Sequence, residues 1–205
     1  MQVKRRAIGI VIFLVTSCGT ADNHRALGEN DYAVYGAILQ RVVEERSHAL
    51  HVPSTDRPAH VGPFAFVIVD STRSTSPVMP GFRAEDVAIW GKVQGHSAEL
   101  EEAVADFQCQ RRHDCVLERR LPTAFDYTFL PASTARQLRG REAPPSDPPG
   151  FFRFSRVGFS RDGRHAFVFL ENYSGNVGGS GRYYFLSSRD GNWGVEFNPG
   201  GTYFS

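Results

Sequence analysis

The sequence has almost no lysine, no large excess of either charge and no long low-complexity tract. Lys4 and Lys92 are its only lysines, and the 205 residues carry a net charge of +1. That balance argues against nucleic acid as the main partner. With 41% hydrophobic and 12% aromatic residues, the composition is that of a globular protein, and this length predicts one domain.

Several familiar catalytic motifs are also missing. No HExxH zinc motif and no GxSxG nucleophile elbow occurs anywhere in the chain. The glycine-rich stretch near residue 178 lacks the Gly-Lys-Ser/Thr ending of a P-loop and precedes a predicted strand instead of a helix. We therefore predict no metal and no cofactor, and we favour a protein that is not an enzyme.

The first 17 residues are predicted to be a signal peptide. Lys4-Arg5-Arg6 forms a positive n-region, and Ala7–Val15 is an apolar stretch too short to span a bilayer. Val15-Thr16-Ser17-Cys18 resembles the lipobox of bacterial lipoproteins, in which the cysteine becomes the lipidated first residue. The resemblance implies an acylated Cys18 that anchors the protein in the lipid bilayer. An ordinary signal peptide with an incidental cysteine is the alternative.

Position 19 bears on where such an anchor would lie. By resemblance to Gram-negative lipoproteins, Gly19 favours the outer membrane, whereas Asp at this position would favour the inner membrane. Removing the signal peptide leaves 20 of the 23 basic residues against 22 acidic ones, a net charge of −2. We therefore expect a tether over residues 18–29 and a single domain over 30–205, without a basic binding face.

Apolar periodicity predicts the elements that precede the C-terminal third. Asn30 and Asp31 are candidate N-caps for the first helix, and Phe64–Asp70 is apolar enough to be a strand buried on both faces. The predicted helices are Tyr32–Arg46, a short one at Ala84–Trp90, Ala98–Gln108 and Ala132–Arg139. Val116–Leu121 and Phe125–Leu130 are further predicted strands.

The last third predicts an antiparallel meander. Asp162-Gly163 and Asp190-Gly191 are hairpin turn signals, because type I′ turns need positive φ at both central residues. They join Phe152–Phe159 to His165–Tyr173, and Arg182–Ser187 to Trp193–Phe197. Ala166, Val168 and Leu170 alternate with Phe167 and Phe169, so the second strand should be central and covered by a helix. The expected fold is α+β, an antiparallel sheet packed by two or three helices.

A glycine-rich loop between the second and third of these strands is a candidate ligand loop. Its small residues are Gly175, Gly178, Gly179, Ser180 and Gly181. Backbone N–H groups in such loops can hold anions. A flexible connection, too polar to form a strand, is the interpretation that we favour.

Cys109 and Cys115 remain once Cys18 is assigned to lipid. In an oxidising compartment this pair predicts a disulfide, provided that the preceding helix ends near 110–113. A zinc site formed by Cys109, His113 and Cys115 is the alternative, although it lacks a fourth ligand.

The remaining histidines and Asp70 do not form a recognisable site pattern. His48, His51 and His60 have no acidic neighbour at ligand spacing, so they are expected to be exposed loop histidines and not metal ligands. Asp70 ends a buried strand, where α/β enzymes often place catalytic groups. No glycine loop and helix follow it, so a catalytic Asp70 is not favoured.

The C-terminal tail resembles that of an uncharacterised family of bacterial secreted proteins and lipoproteins. The residues that carry the likeness are Ser155–Gly163, Ala166–Phe169, Gly178–Gly181 and Gly191–Val195 within Ser155–Ser205. Those tails read SRVGFN, an apolar strand, a glycine loop and G-x-W-x-V. This chain departs from them in having no cysteine near the loop and Tyr203 where tryptophan is common. The resemblance implies fold and location, not activity.

Two functions remain open. The first is an envelope lipoprotein without catalytic activity, with a structural role or binding an envelope protein or a cell-wall component. The second is an envelope hydrolase with Ser71 or Ser180 as nucleophile and His165 as base. A cavity that gathers Asp70, His165 and residues 174–181 would favour the hydrolase.

Overall fold

The structure is a computed structural model that describes residues 25–50, 65–72, 95–110, 114–138, 150–174, 179–198 and 201–204. Within these residues it contains three helices and eight strands. The helices are α1 (Glu29–Leu50), α2 (Ser97–Gln110) and α3 (Ala132–Leu138). The strands are β1 (Ala65–Val69), β2 (Asp126–Leu130), β3 (Phe151–Phe154), β4 (Gly158–Phe159), β5 (His165–Tyr173), β6 (Gly179–Arg189), β7 (Asn192–Phe197) and β8 (Gly201–Phe204).

All eight strands belong to one sheet. Its main path runs β2-β1-β3-β5-β6-β7, with β4 paired to β5 and β8 paired to β6. Among strands β3 to β8 every pairing is antiparallel, which confirms the C-terminal meander. The two longest strands, β5 and β6, lie at its centre.

The sheet is mixed and not wholly antiparallel as expected. The strand β1 pairs in parallel with both β2 and β3. Parallel neighbours need a crossover connection, and 56 residues separate the end of β1 from the start of β2, with α2 between them. The sequence contains signals for the tight turns but none for the crossover connection, so the parallel pairings could not be predicted. The α+β class itself is confirmed.

Helices cover both faces of the sheet. Tyr35, Ile38 and Leu39 of α1 pack on one face, and Leu100 and Phe107 of α2 pack on the other. Ala135 of α3 packs against Val69 and Phe151 on the same face as α2. Since each element buries an apolar stripe, the domain has three layers.

The central strand β5 is buried on both sides, as its sequence predicts. Val168 points to α1, and Phe167 points to α2; both are fully buried. The neighbouring Gly158 lets α2 approach closely, because a Cβ there would lie 2.2 Å from the carbonyl oxygen of Ala103 and from the backbone nitrogen of Phe107. A side chain at position 158 is therefore incompatible with this packing.

The two hairpin turns differ from each other. Asp190 and Gly191 both have positive φ, 52° and 82°, as a type I′ turn requires. In the first turn only Gly163 has positive φ, at 68°. Asp162 instead accepts hydrogen bonds from the Ser160 hydroxyl and the Arg164 N–H. The first connection is thus a longer loop held by an aspartate.

The first helix begins earlier than its sequence predicted. It starts at Glu29, and Gly28 occupies the N-cap position, so Asn30 and Asp31 do not cap it. Asp31 is fully buried and its Oδ2 accepts a hydrogen bond from the Gly28 N–H at 2.9 Å. This is the back-reaching half of a capping box.

The ordered domain also begins before residue 30. Arg25 forms an ion pair with Asp31 at 2.8 Å, and its guanidinium lies 4.9 Å from the ring centroid of Phe159. Residues 25–29, expected to belong to the tether, are therefore part of the domain. None of the helices in the described residues is both long and apolar enough to cross a membrane.

Two further differences concern the middle of the chain. Residues 116–121 form no strand, and only a single bridge joins Val116 to Ser71. Residues 118–120 are charged and exposed, so this segment has no continuous apolar side to pack as a strand of the sheet. The helix predicted at 84–90 lies outside the described residues. The strand predicted at 152–159 is divided into β3 and β4, and β8 was not predicted. The other helices and strands lie within a few residues of their predicted bounds.

Candidate functional site

A cavity of about 260 Å³ lies between the C-terminal half of α1 and the sheet. Strands β3, β5 and β6 form its floor, and α1 forms its wall. It is lined by Val42, Glu45, Arg46, Phe152, Leu170, Asn172, Ser180, Arg182 and Tyr184. These residues come from four elements spread over most of the domain sequence.

The floor of the cavity is apolar. Phe152, Leu170 and Tyr184 are buried, each less than 5% exposed, and alternate residues of a strand face the same side of the sheet. Strand pairing then aligns them, because Phe152 lies opposite Asn172 and Leu170 lies opposite Arg182. Val42, which is partly buried, contributes from the helix.

The opposite side of the cavity is charged. Glu45 of α1 accepts a hydrogen bond from Arg182 of β6 at 2.9 Å and a second one from Arg41 at 2.9 Å. The pair with Arg182 joins α1 to β6 at the mouth of the cavity, and the pair with Arg41 lies within α1. Arg46 lines the same region, so the lining contains two guanidinium groups and one carboxylate.

Asn172 contributes a polar atom with no partner. Its side-chain Oδ1 is buried, and no hydrogen-bond donor in the described part of the chain reaches it. Buried polar atoms are almost always paired, and an unpaired one costs roughly 1–3 kcal/mol. Asn172 lines the cavity, but its Oδ1 has almost no accessible surface, so this atom does not face the space that a bound molecule would occupy.

The phenol of Tyr184 is held in its protonated form. Burial raises its pKa, and the nearby Glu45 carboxylate raises it further, while Arg182 opposes both effects. The hydroxyl therefore remains available as a hydrogen-bond donor at neutral pH.

The candidate nucleophile Ser180 is far from the candidate base His165. Ser180 lies opposite Asn172, and His165 is seven residues from Asn172 along β5. At about 3.3 Å per residue this separation is about 23 Å. The two side chains cannot form a catalytic pair in this fold.

Ser71 is also separated from His165. It follows β1, two strands from β5, and its hydroxyl accepts a hydrogen bond from Arg153. His165 stacks on Phe185 with ring planes 5° apart, and its Nδ1 lies 3.8 Å from Asp162. That aspartate has a lowered pKa because the Ser160 hydroxyl and the Arg164 N–H bond to it. His165 thus belongs to the first hairpin turn.

Asp70, a candidate catalytic residue, bonds to the start of helix α3. Its Oδ1 accepts a hydrogen bond from the backbone N–H of Ala132, the first residue of α3, at 2.9 Å. Its own backbone bonds to Leu130 and Leu117. The cavity contains neither Asp70 nor His165, so the arrangement that would favour a hydrolase is not found there.

The candidate ligand loop is shorter than expected. Gly179, Ser180 and Gly181 begin strand β6, and they pair with β5 on one side and β8 on the other. The prediction that they form a flexible connection was wrong, because two neighbouring strands satisfy their backbone groups. Gly175 and Gly178 lie outside the described residues. Of this set, only Ser180 lines the cavity.

The predicted disulfide between Cys109 and Cys115 does not form. Cys115 is a free cysteine, and its Sγ lies 2.6 Å from Nη1 of the fully buried Arg156. Its backbone N–H bonds to the Thr72 hydroxyl, which fixes it away from a position against α2. Cys109, at the end of α2, therefore does not pair with Cys115.

The metal sites discussed from the sequence fall partly outside the described residues. No group of three or more histidine, cysteine, aspartate or glutamate side chains there could hold an ion. His51, His60 and His113 lie outside those residues, as do Cys18 and Gly19.

Sequence reasoning missed most of the cavity. Arg46, Asn172 and Arg182 are each ordinary surface-type residues in their own segments. Only the pairing of β5 with β6 and the position of α1 bring them together. The one available signal was Asn172, a polar residue that continues the inward-facing series Ala166, Val168, Leu170.

Comparison with known proteins adds no relative. No protein-family model, no curated protein and no solved structure matches this chain.

Proposed function

We propose that this chain is a lipoprotein of the bacterial envelope, anchored through acylated Cys18, whose domain binds a small molecule without catalysis. The anchor is supported by the basic n-region, the apolar stretch and the Val15–Cys18 lipobox. Gly19 favours the outer membrane. The resemblance of the C-terminal tail to secreted proteins and lipoproteins favours a location in the cell envelope.

The anchor would hold the domain close to the membrane. Arg25 is already fixed to Asp31, so only the six residues 19–24, or seven Cα–Cα steps, connect Cys18 to Arg25. A fully extended chain of this length reaches about 25 Å. Two or three acyl chains on Cys18 would make the attachment stable, since each buried CH₂ contributes about 0.8 kcal/mol.

The cavity under α1 is the observation that carries the binding function. It combines an apolar floor with a few charged and polar groups, as small-molecule sites generally do. The candidate catalytic residues Ser71, Asp70 and His165 lie elsewhere. The molecule bound would be a small envelope component, such as a fragment of the cell wall.

Native mass spectrometry tests this function. Protein purified from envelope membranes in mild detergent should retain a small molecule of defined mass. Ser180→Leu should remove that adduct, because leucine fills the cavity from β6. Ser188→Leu, on the same face of the same strand but outside the lining, is the matched control and should keep it.

The result that contradicts a binding function is equally definite. Wild-type protein that carries no adduct would contradict the binding function. An adduct retained equally by Ser180→Leu and Ser188→Leu would also contradict it. Melting curves of the three proteins confirm that each is folded before the spectra are compared.

A further inference from the structure

We infer that the domain rests on the phospholipid bilayer through the surface around Val116, with the cavity facing away from the membrane. The inference rests on the proposed anchor at Cys18 and names the surface that meets the lipid. It is carried by the exposure of Val116, by its position beside Arg25, where the described chain begins, and by the distance between this end of α1 and the cavity.

Val116 is held at the surface by a fixed backbone. Among the described residues it is the only large apolar side chain that is exposed, with 76% of its surface accessible. The Cys115 N–H bonds to the Thr72 hydroxyl and the Thr72 N–H bonds to the Cys115 carbonyl, both at 2.8 Å. The N–H of the buried Leu117 bonds to the carbonyl oxygen of Asp70 at 2.8 Å. With its neighbours fixed on both sides, Val116 remains in contact with solvent, which is unfavourable for an apolar group.

The chain that leads to the anchor ends beside this segment. The fully buried Arg156 places its Nη1 2.6 Å from the Sγ of Cys115, and its Nη2 donates a hydrogen bond to the carbonyl oxygen of Arg25. One guanidinium thus joins Arg25 to the residue that precedes Val116. Single exposed apolar residues are common on protein surfaces. The position next to the attachment point is what distinguishes Val116.

The charges around Val116 suit a phospholipid surface. Arg120 donates a hydrogen bond to the carbonyl oxygen of Leu27 at 3.2 Å and pairs with Glu118 at 3.2 Å. Arg119 is exposed and has no ion-pair partner in the part of the chain that the structure describes. Its guanidinium is therefore available to a lipid phosphate, while Val116 matches the apolar region beneath the headgroups.

The short connection favours the bilayer as the partner of this surface. Residues 19–24 join Cys18 to Arg25 and span at most about 25 Å when extended. This end of the domain therefore stays close to the lipid. Attachment through a short connection raises the effective concentration of a second contact, so a small apolar contact is sufficient. A protein partner in solution has no such advantage.

The cavity lies towards the other end of α1. Arg25 pairs with Asp31 in the first turn of the helix, whereas Glu45 and Arg46 line the cavity. Asp31 and Glu45 are 14 residues apart, which is about 21 Å at a rise of about 1.5 Å per residue. With Val116 on the lipid, the cavity faces the aqueous side. Its ligand then enters from solution and not from the bilayer.

Photo-crosslinking of the lipidated protein tests this orientation. The full chain carries p-benzoylphenylalanine in place of Val116 and is reconstituted into vesicles of phosphatidylethanolamine and phosphatidylglycerol. After irradiation, the peptide that contains position 116 should gain the mass of one of these phospholipids. The same probe in place of Glu44, exposed near the other end of α1 and outside the cavity lining, is the control and should give at least tenfold fewer lipid adducts.

Two results would overturn the orientation. The first is a yield of lipid adducts at position 116 that is no higher than at position 44. The second is an adduct of position 116 with a protein instead of a phospholipid when whole cells are irradiated, which would make this surface a protein interface.

A pair of variants separates the contact of Val116 from the attachment alone. With the probe in place of Glu118, Val116→Asp should reduce the yield of lipid adducts at least threefold, because a carboxylate is unfavourable among acyl chains. Val116→Leu keeps an apolar side chain and should retain the yield. Both changes are at an exposed position, and melting curves check that each variant is folded. Equal yields from the two variants would mean that Val116 makes no contact with lipid.

Failure of this inference can be told from failure of the proposed function. If Cys18 is acylated but position 116 gives no lipid adduct, the anchor stands and the orientation is wrong. If Cys18 is not acylated, both the anchor and the orientation are wrong. The small molecule retained in native mass spectra depends on neither result, so it tests the binding function separately.

Discussion

The carboxylate of Asp70 accepts a hydrogen bond from the backbone N–H of Ala132, with 2.9 Å between Oδ1 and N. The contact links the end of a central strand to the first turn of α3, where N–H groups have no partner within the helix. A residue in a position typical of catalytic acids thus caps a helix from a distant segment.

Asp70→Ala should therefore reduce stability. Loss of a capping oxygen costs about 1 kcal/mol, within a range of roughly 0.5–2 kcal/mol. Asp70→Asn keeps an acceptor and should lose less. Urea denaturation midpoints measure both, and an unchanged midpoint in Asp70→Ala would contradict the capping role.

Val168→Asp should abolish the folded state. Val168 is fully buried between α1 and the sheet, and a carboxylate there would have no partner. Arg164→Asp, at an exposed position in the adjacent turn, should be nearly silent. Circular dichroism and denaturant titration compare the two. Similar midpoints would mean that β5 is not the central strand.

Gly158→Ala should destabilise the packing of α2. The new Cβ would meet the Ala103 carbonyl and the Phe107 nitrogen at 2.2 Å, so the helix must move, at a cost of about 1–3 kcal/mol. Gly194→Ala is the matched control, because a Cβ there meets nothing within 4 Å. Equal thermal stability of the two variants would contradict the close approach.

Tyr35 should ionise only when the protein unfolds. Burial raises its pKa well above 10, and the negative charge of Asp31 adds to the effect. Because the folded state favours the protonated phenol, its contribution to stability is complete below pH 10. That contribution is lost as the pH rises above 10 towards the folded-state pKa. Absorbance at 295 nm follows tyrosinate formation.

The control for this titration is Tyr35→Phe. In the wild type one slow tyrosinate phase should coincide with loss of secondary structure, and in the variant that phase should be smaller. The variant should also be less stable by roughly 1–3 kcal/mol, because the Ser155 carbonyl loses the hydroxyl that bonds to it at 2.9 Å. Complete ionisation before unfolding would contradict a buried Tyr35.

Local patterns predicted the elements well, and long-range relations poorly. The alternation in His165–Tyr173 gave both buried faces of β5, since side-chain direction in a strand depends only on neighbouring positions. The turn residues Asp190 and Gly191 likewise act locally. The parallel pairing of β1 depends on a crossover that no local pattern specifies.

The candidate site shows the same limit. Ser180 was predicted to lie in a ligand loop because its neighbours are glycines. Pairing with β5 and β8 instead places these residues in strand β6. Arg156 is fully buried, and Cys115 contacts it instead of Cys109. A buried arginine is rarely predictable, because its cost is offset only by partners from remote segments.

The mass of the N-terminal peptide tests the central claim, that Cys18 anchors the protein, most directly. Protein should be isolated from the membrane fraction, digested and measured without reduction. The account predicts that the peptide begins at Cys18 and carries the mass of two or three acyl chains, and that Cys18→Ala leaves the signal peptide uncleaved. A mature protein that begins elsewhere would contradict the anchor, and so would an unacylated Cys18 found in a disulfide with Cys109.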